Sequence, residues 1–169
     1  MLQPMTDWYW FTDGGQLMLS MGKEWQCTTA FGQKQIVNMP KERQLFSLMD
    51  TECYLTLAEK LLSSCGNFSE AYLTHILINA TAAMMFHKPV TPKSWLFNEV
   101  ESYGSHHRLA RITNKYNSGV VVVLTDEHSL VTCMLISTNL QLSESKFLHA
   151  ICIYNTSAVT ILYSNEFSR

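Results

Sequence analysis

Few side chains in this chain are arranged for chemistry, and none is grouped as a familiar reaction requires. His106-His107 is the strongest metal-like pair. Adjacent strand residues point to opposite faces, so the two cannot share an ion unless the chain bends, and no cysteine stands at zinc-finger spacing nearby. Asp126-Glu127-His128 sets acids beside an imidazole, but between two strand-like runs it reads as a hairpin turn. Cys65 falls at a helix end, and Cys133 and Cys152 fall inside strands, where cysteine acts as a small hydrophobe. Gly14-Gly15 lacks the lysine and helix of a phosphate loop. His75 and Asn79 share a helix face at four-residue spacing and are expected to tie that helix to a neighbour. The expectation is a non-enzyme with no metal and no cofactor.

What remains is chemistry of recognition. Lys88 to Trp95, KPVTPKSW, carries two prolines, two lysines and a tryptophan. The prolines stiffen the segment and cut the entropy lost on ordering it. Lys88 and Lys93 then become two cationic points beside the aromatic Trp95, a combination suited to an acidic, partly apolar peptide.

This arm has to be held by what precedes it. Glu70 to Phe86 is apolar on nearly every side, which predicts a central helix covered on more than one face. Ser69 is a good N-cap, and Pro89 and Pro92 bar the helix from continuing. Before it, 8–13 and 16–21 read as strands about a Gly14-Gly15 hairpin, with 25–31 as a third strand. Trp8 and Trp10 share one face of the first strand, Tyr9 and Phe11 the other, so both faces are expected to be covered. Residues 32–44 read as a loop and Leu45–Leu48 as a short strand. Asp50 then caps a helix running to about Ser64, with Tyr54, Leu57, Ala58, Leu61 and Leu62 on its apolar stripe and Gly66 as its stop.

After Phe97 the texture changes to short strands: 108–113, 120–125, 130–137, and a last hairpin of 147–154 with 158–163 across Asn155-Thr156-Ser157. The expected fold is α+β: an N-terminal α/β domain, 1–97, followed by an all-β, barrel-like C-terminal domain, 98–169. The chain is 47% hydrophobic and 15% charged, with a formal net charge of -2. Neither half is strongly basic, which argues against a general nucleic-acid binder. Five scattered cysteines without a CxxC pair point to thiols in a reducing compartment. No signal-like N-terminus and no run near ~18 apolar residues is present, so the expectation is a cytoplasmic protein without membrane attachment.

The WYWFTD and LMLSMG strands, the AEKLL helix end and the run INATAAMMFHKPVTPKSWLF together resemble the ZapC family of cell-division proteins. KPxxPKSWxF is the most specific part, and the likeness is best over residues 7–97. The resemblance implies a Z-ring-associated protein without enzymatic activity, at mid-cell. Such a protein binds the tubulin-like GTPase FtsZ, promotes lateral bundling of its filaments and restrains their GTP turnover. It also implies an α/β domain joined to a β-barrel-like one. The family's arm lysines fall on Lys88 and Lys93, and its tryptophan on Trp95. On this reading the lysines steer the partner, and Trp95 with Trp8 or Trp10 lines an apolar pocket beside them. The FtsZ C-terminal peptide, acidic and apolar, is the expected ligand of the arm. Bundling needs two FtsZ-binding surfaces or self-association. Two other classes stand as alternatives: a small-ligand carrier or enzyme with its site in the C-terminal barrel, and a single-stranded nucleic-acid binder using Tyr103, Arg108, Arg111 and Tyr116.

Overall fold

The computed structural model describes residues 1–63, 67–100, 108–127, 129–137 and 139–163. Cys65 and Gly66 at the expected helix stop, Tyr103, the His106-His107 pair and His128 therefore lie outside the described residues. Two compact units divide the chain: Met1–Glu59 with Asn67–Pro89, and Lys60–Gly66 with Val90–Arg169. They part inside the proline arm, ahead of the compositional change at residue 98. The fold is α+β, a helix-backed antiparallel sheet first and an all-β region second.

In the first unit, β1 (Trp8–Asp13) and β2 (Gln16–Met21) pair from Trp8↔Met21 to Asp13↔Gln16. Gly14 and Gly15 turn the chain at φ 55° and 77°, the left-handed values a two-residue hairpin needs. β3 (Gln26–Gly32) adds beyond β2, and β4 (Gln44–Leu45) adds on the free side of β1, giving the order β3-β2-β1-β4. The expected strand at 45–48 is thus only two residues long and starts one residue earlier.

The first helix, α1 (Leu48–Ser63), begins two residues before the expected cap. Ser47 is the capping residue, its hydroxyl accepting from the Asp50 amide at 3.1 Å. The Asp50 carboxylate in turn accepts from the Ser47 amide at 2.6 Å. This reciprocal box satisfies two amides that the helix leaves orphaned and buries Asp50. Leu62, expected on the apolar stripe, is exposed instead.

α2 (Glu70–Phe86) is capped by Ser69, whose hydroxyl accepts from the Tyr72 amide at 3.2 Å. Its buried residues lie all round the helix, from Leu73, Ile76 and Leu77 to Ile78, Ala82 and Phe86, so it is a core helix, and it packs on β3. It ends where the prolines require: His87 is already extended at φ -68° and ψ 137°. Of the two residues expected to tie the helix to a neighbour, Asn79 does so, while the His75 side chain lies in the lining of a groove. Asn79 accepts from the Ala30 amide of β3 at 2.8 Å while its own amide donates to the His75 carbonyl at 2.9 Å. On the other face of β1, Tyr9 and Phe11 are half-buried, pack on each other at 5.8 Å, and Arg43 lies 4.8 Å over the Tyr9 ring.

In the second unit, β5 (Leu109–Thr113), β6 (Ser118–Glu127) and β7 (Leu130–Leu135) form an antiparallel meander. Among the described residues the short β8 (Asn139–Gln141) and β9 (Phe147–His149) form a two-stranded sheet. β10 (Ile153–Ser157) joins β7, and β11 (Leu162–Tyr163) joins β5, giving the order β10-β7-β6-β5-β11. Among the described residues this is an open sheet and not a closed barrel. The expected last hairpin does not form, because Asn155-Thr156-Ser157 is strand, paired to Thr132-Val131-Leu130. Phe147–His149 pairs with β8 instead, while Ile153–Ser157 and Leu162–Tyr163 lie at opposite edges of the five-stranded sheet. The core joins Val121, Val123, Val131, Cys133 and Leu135 to Tyr154, Ile161 and Phe97. Among the described residues no helix is long and apolar enough to cross a membrane.

Candidate functional site

The arm is fixed at both ends by backbone hydrogen bonds, a different set in each unit. At its start, the Lys88 amide donates to the Gln35 carbonyl at 2.8 Å, beside an antiparallel bridge between Ile36 and His87. The Lys88 ammonium donates to the Lys34 carbonyl at 3.1 Å, and the side chain is exposed. A single neutral carbonyl leaves most of that charge unspent. Among the described residues neither Lys88 nor Lys93 forms an ion pair.

The rest of the arm lies along the free edge of β10. Pro92 bridges Asn155 in parallel sense, and the Lys93 amide donates to the Asn155 carbonyl at 2.8 Å. Proline is tolerated there because an edge strand does not need every amide. The Ser157 amide donates to the Ser94 hydroxyl at 2.8 Å. A single 3-10 turn, Ser94–Leu96, then points Phe97 inward onto Tyr154, with ring centroids 5.3 Å apart. The same turn leaves Trp95 76% exposed. Lys93 is half-buried near Cys152: burial pushes that thiol up, and the Lys93 charge pulls it partly back.

Trp8 and Trp10 are elsewhere. Both are buried on the inner face of β1, Trp8 edge-on to Phe46 and Tyr54 at 5.4 and 5.9 Å, Trp10 edge-on to Phe86 at 5.5 Å. A strand's alternation put them on one face but could not say which face the helices cover. They are core, and line no pocket open to a partner.

A second feature was not read from the sequence. Between β3 and the first turns of α2 lies an open groove of about 680 Å³, lined by Met21, Trp25, Cys27, Glu70, His75 and Ile78 among others. Trp25 is 63% exposed at its rim, and burial pushes the Cys27 thiol up. The signal available was a tryptophan following Gly22-Lys23-Glu24, where the chain turns between strands, facing a lone helix histidine. Only the pairing of β3 with α2 brings them together.

The other chemical groups are structural where described. Asp126 and Glu127 belong to β6, and Asp126 accepts from the Tyr163 hydroxyl at 2.8 Å. Arg108 donates to the Val123 and Leu124 carbonyls at 3.1 and 2.6 Å, which spends the guanidinium within the fold. Cys27, Cys53, Cys133 and Cys152 are thiols. Among the described residues no group of three or more His, Cys, Asp or Glu side chains converges to hold a metal.

Two family models meet inside the arm. Cell-division protein ZapC, N-terminal, matches residues 1–88, and Cell-division protein ZapC, C-terminal, matches 89–154. The cell division protein ZapC of Pseudoalteromonas atlantica is 41% identical over 150 residues, covering 86% of this chain and 84% of that protein. The ZapC of Vibrio vulnificus is 34% identical, covering 79% and 77%, and that of Shewanella woodyi 31%, covering 88% and 83%. The strand meander, the core helix and the proline arm thus fall within one continuous likeness, and the chain belongs to the ZapC family of cell-division proteins.

Proposed function

We propose that this chain is a non-enzymatic, cytoplasmic scaffold of the division site that binds FtsZ at mid-cell and bundles its filaments. The observation that carries the reading is the presentation of Trp95. A large aromatic stands 76% exposed on a turn anchored by its own backbone, with the half-buried Lys93 two residues before it. Exposed aromatics held on rigid backbone are what hot spots are made of, because little side-chain entropy is lost on contact. Lys88 adds a second cation at the other end of the arm. The ligand is an acidic, partly apolar segment: the FtsZ C-terminal peptide.

Bundling requires a second contact, and the groove beside Trp25 supplies one in the first unit. Its apolar walls suit the hydrophobic side chains of a second FtsZ copy, so that one molecule bridges two filaments without dimerising. Co-sedimentation with FtsZ filaments tests both contacts. Lys88→Glu with Lys93→Glu should cut high-speed pelleting sharply while stability falls by no more than about 1 kcal/mol, since Lys88 is exposed and Lys93 only half-buried. Trp25→Ser should keep high-speed pelleting and lose the bundles that pellet at low speed. If the double lysine variant pellets like the wild type, the arm is only a connector. FtsZ lacking its terminal peptide, captured as well as intact FtsZ, would move the contact to the globular part of FtsZ.

A further inference from the structure

The geometry points to a third recognition surface: the outer face of α1, where leucine alternates with glutamate, docks a basic amphipathic helix of a protein partner. Leu48, Glu52, Leu55 and Glu59 recur at i, i+4, i+7 and i+11, so they lie along one side of the helix. All four are exposed, Leu48 at 89%. Met49 and Leu45 beside the helix start are each 68% exposed. Single exposed leucines are ordinary, but apolar side chains gathered on one face are the mark of an interaction surface.

The display is also rigid. The reciprocal bonds between Ser47 and Asp50 lock the first turn, and Phe46 is packed inward against Trp8 and Trp10 at 5.4 and 5.5 Å. Leu45, Leu48 and Met49 therefore stand out from a backbone that does not fray.

Charge selects the occupant. Among the described residues neither Glu52 nor Glu59 forms an ion pair. A second copy of this chain would bring four carboxylates into one interface with no cation on either face, which disfavours self-pairing. An anionic lipid surface is repelled for the same reason. A helix with apolar residues on one stripe and lysine or arginine seven residues apart meets both features, because Glu52 and Glu59 are separated by about 10.5 Å along the axis. This surface is independent of the FtsZ contacts above.

The test is a fluorescence titration of the full chain with two capped synthetic helices. Both carry leucines at helical spacing; one has lysines flanking that stripe at seven-residue intervals, and the other has glutamates there. The lysine peptide should bind, more weakly as salt rises, and at least about tenfold better than the glutamate peptide. Glu52→Lys with Glu59→Lys, and separately Leu48→Ser with Leu55→Ser, should each remove that binding while circular dichroism stays unchanged. Glu24→Lys with Glu144→Lys, exposed acids elsewhere, should leave it intact. Equal binding of the two peptides, or no effect of the Glu52 and Glu59 reversal, would overturn the assignment. So would a concentration-dependent dimer lost on Leu48→Ser, which makes the occupant a second copy. Vesicle flotation lost on the same change would make it a lipid surface.

Discussion

Asn79 is buried to 0% exposure in the most apolar helix of the chain, and its side chain makes the one cross-element bond that reaches β3 from that helix among those described. Replacing it isolates what that bond contributes. Asn79→Leu keeps the bulk but leaves the Ala30 amide without its 2.8 Å acceptor. A buried donor stranded in this way costs about 1–3 kcal/mol; Ala30 is exposed on an edge strand, where water can reach the freed amide, so the expected cost is near the lower end, about 1 kcal/mol. The His75 carbonyl loses much less, because a helix carbonyl of this kind already accepts from the amide four residues on. Asn79→Ala strands the same donor and also opens a small void, which raises the expected cost to about 2–4 kcal/mol. Urea unfolding, followed by the emission of the buried Trp8 and Trp10 in the same unit, reports it. For a chain of this length each kcal/mol moves the thermal midpoint roughly 2–4 °C, so Asn79→Ala should melt on the order of 4–16 °C lower. The difference between the Leu and Ala variants separates the hydrogen bond from packing. If Asn79→Leu unfolds at the wild-type midpoint, the bond contributes nothing net and the reasoning fails. The consequence reaches function, because β3 brings Cys27 and α2 brings His75 and Ile78 to the groove. Asn79→Leu should therefore also weaken any contact made there, although it touches no ligand.

Trp95→Ala should leave stability within about 0.5 kcal/mol, since the ring is mostly in water, yet weaken the proposed FtsZ contact by at least about 2 kcal/mol, read by titration against the C-terminal peptide. Asp50→Ala removes one half of the Ser47 capping box and strands the Ser47 amide; the expected loss is about 1–2 kcal/mol in urea unfolding, with Asp50→Asn less costly because it keeps an acceptor. Burial raises Tyr54 to about 12, and Tyr154 and Tyr163 are raised in the same direction for the same cause. The fold therefore favours the neutral phenols: their stabilisation is complete below pH 10, the ordinary tyrosine value, and drains away as pH climbs through the folded values. Urea midpoints measured from pH 8 upward should begin to fall near pH 9, where burial also disfavours ionising the Cys27, Cys133 and Cys152 thiols, and fall further above about pH 10; Tyr54→Phe should make the upper part of that fall shallower.

The parts of this fold that could be read from the chain are those fixed by neighbours in sequence. Gly14-Gly15 needs only its own left-handed φ values, Ser69 caps an amide three residues away, and Pro89 ends α2 by blocking the residue before it. The parts that could not be read are set by strands meeting across the sheet. Nothing local tells 153–157 to pair with β7 while 162–163 crosses to β5, and the intervening Asn155-Thr156-Ser157 has the composition of a turn. The same limit governed the site. Trp8 and Trp10 were correctly placed on one face, but the choice between core and surface belonged to the helices above them. The arm shows both cases at once. Its stiffness was legible in Pro89 and Pro92, whereas its anchorage to Asn155 and Ser157 lies some sixty residues further on. That anchorage changes what the prolines do. A stiff segment left unanchored would still sweep its tryptophan through a cone of directions. One bonded to Asn155 and Ser157 of β10 gives Trp95 a fixed bearing on the unit to which it belongs. Under the proposed function, a partner peptide meets an aromatic carried on backbone that was already ordered when the chain folded, which lowers the entropy cost of the contact.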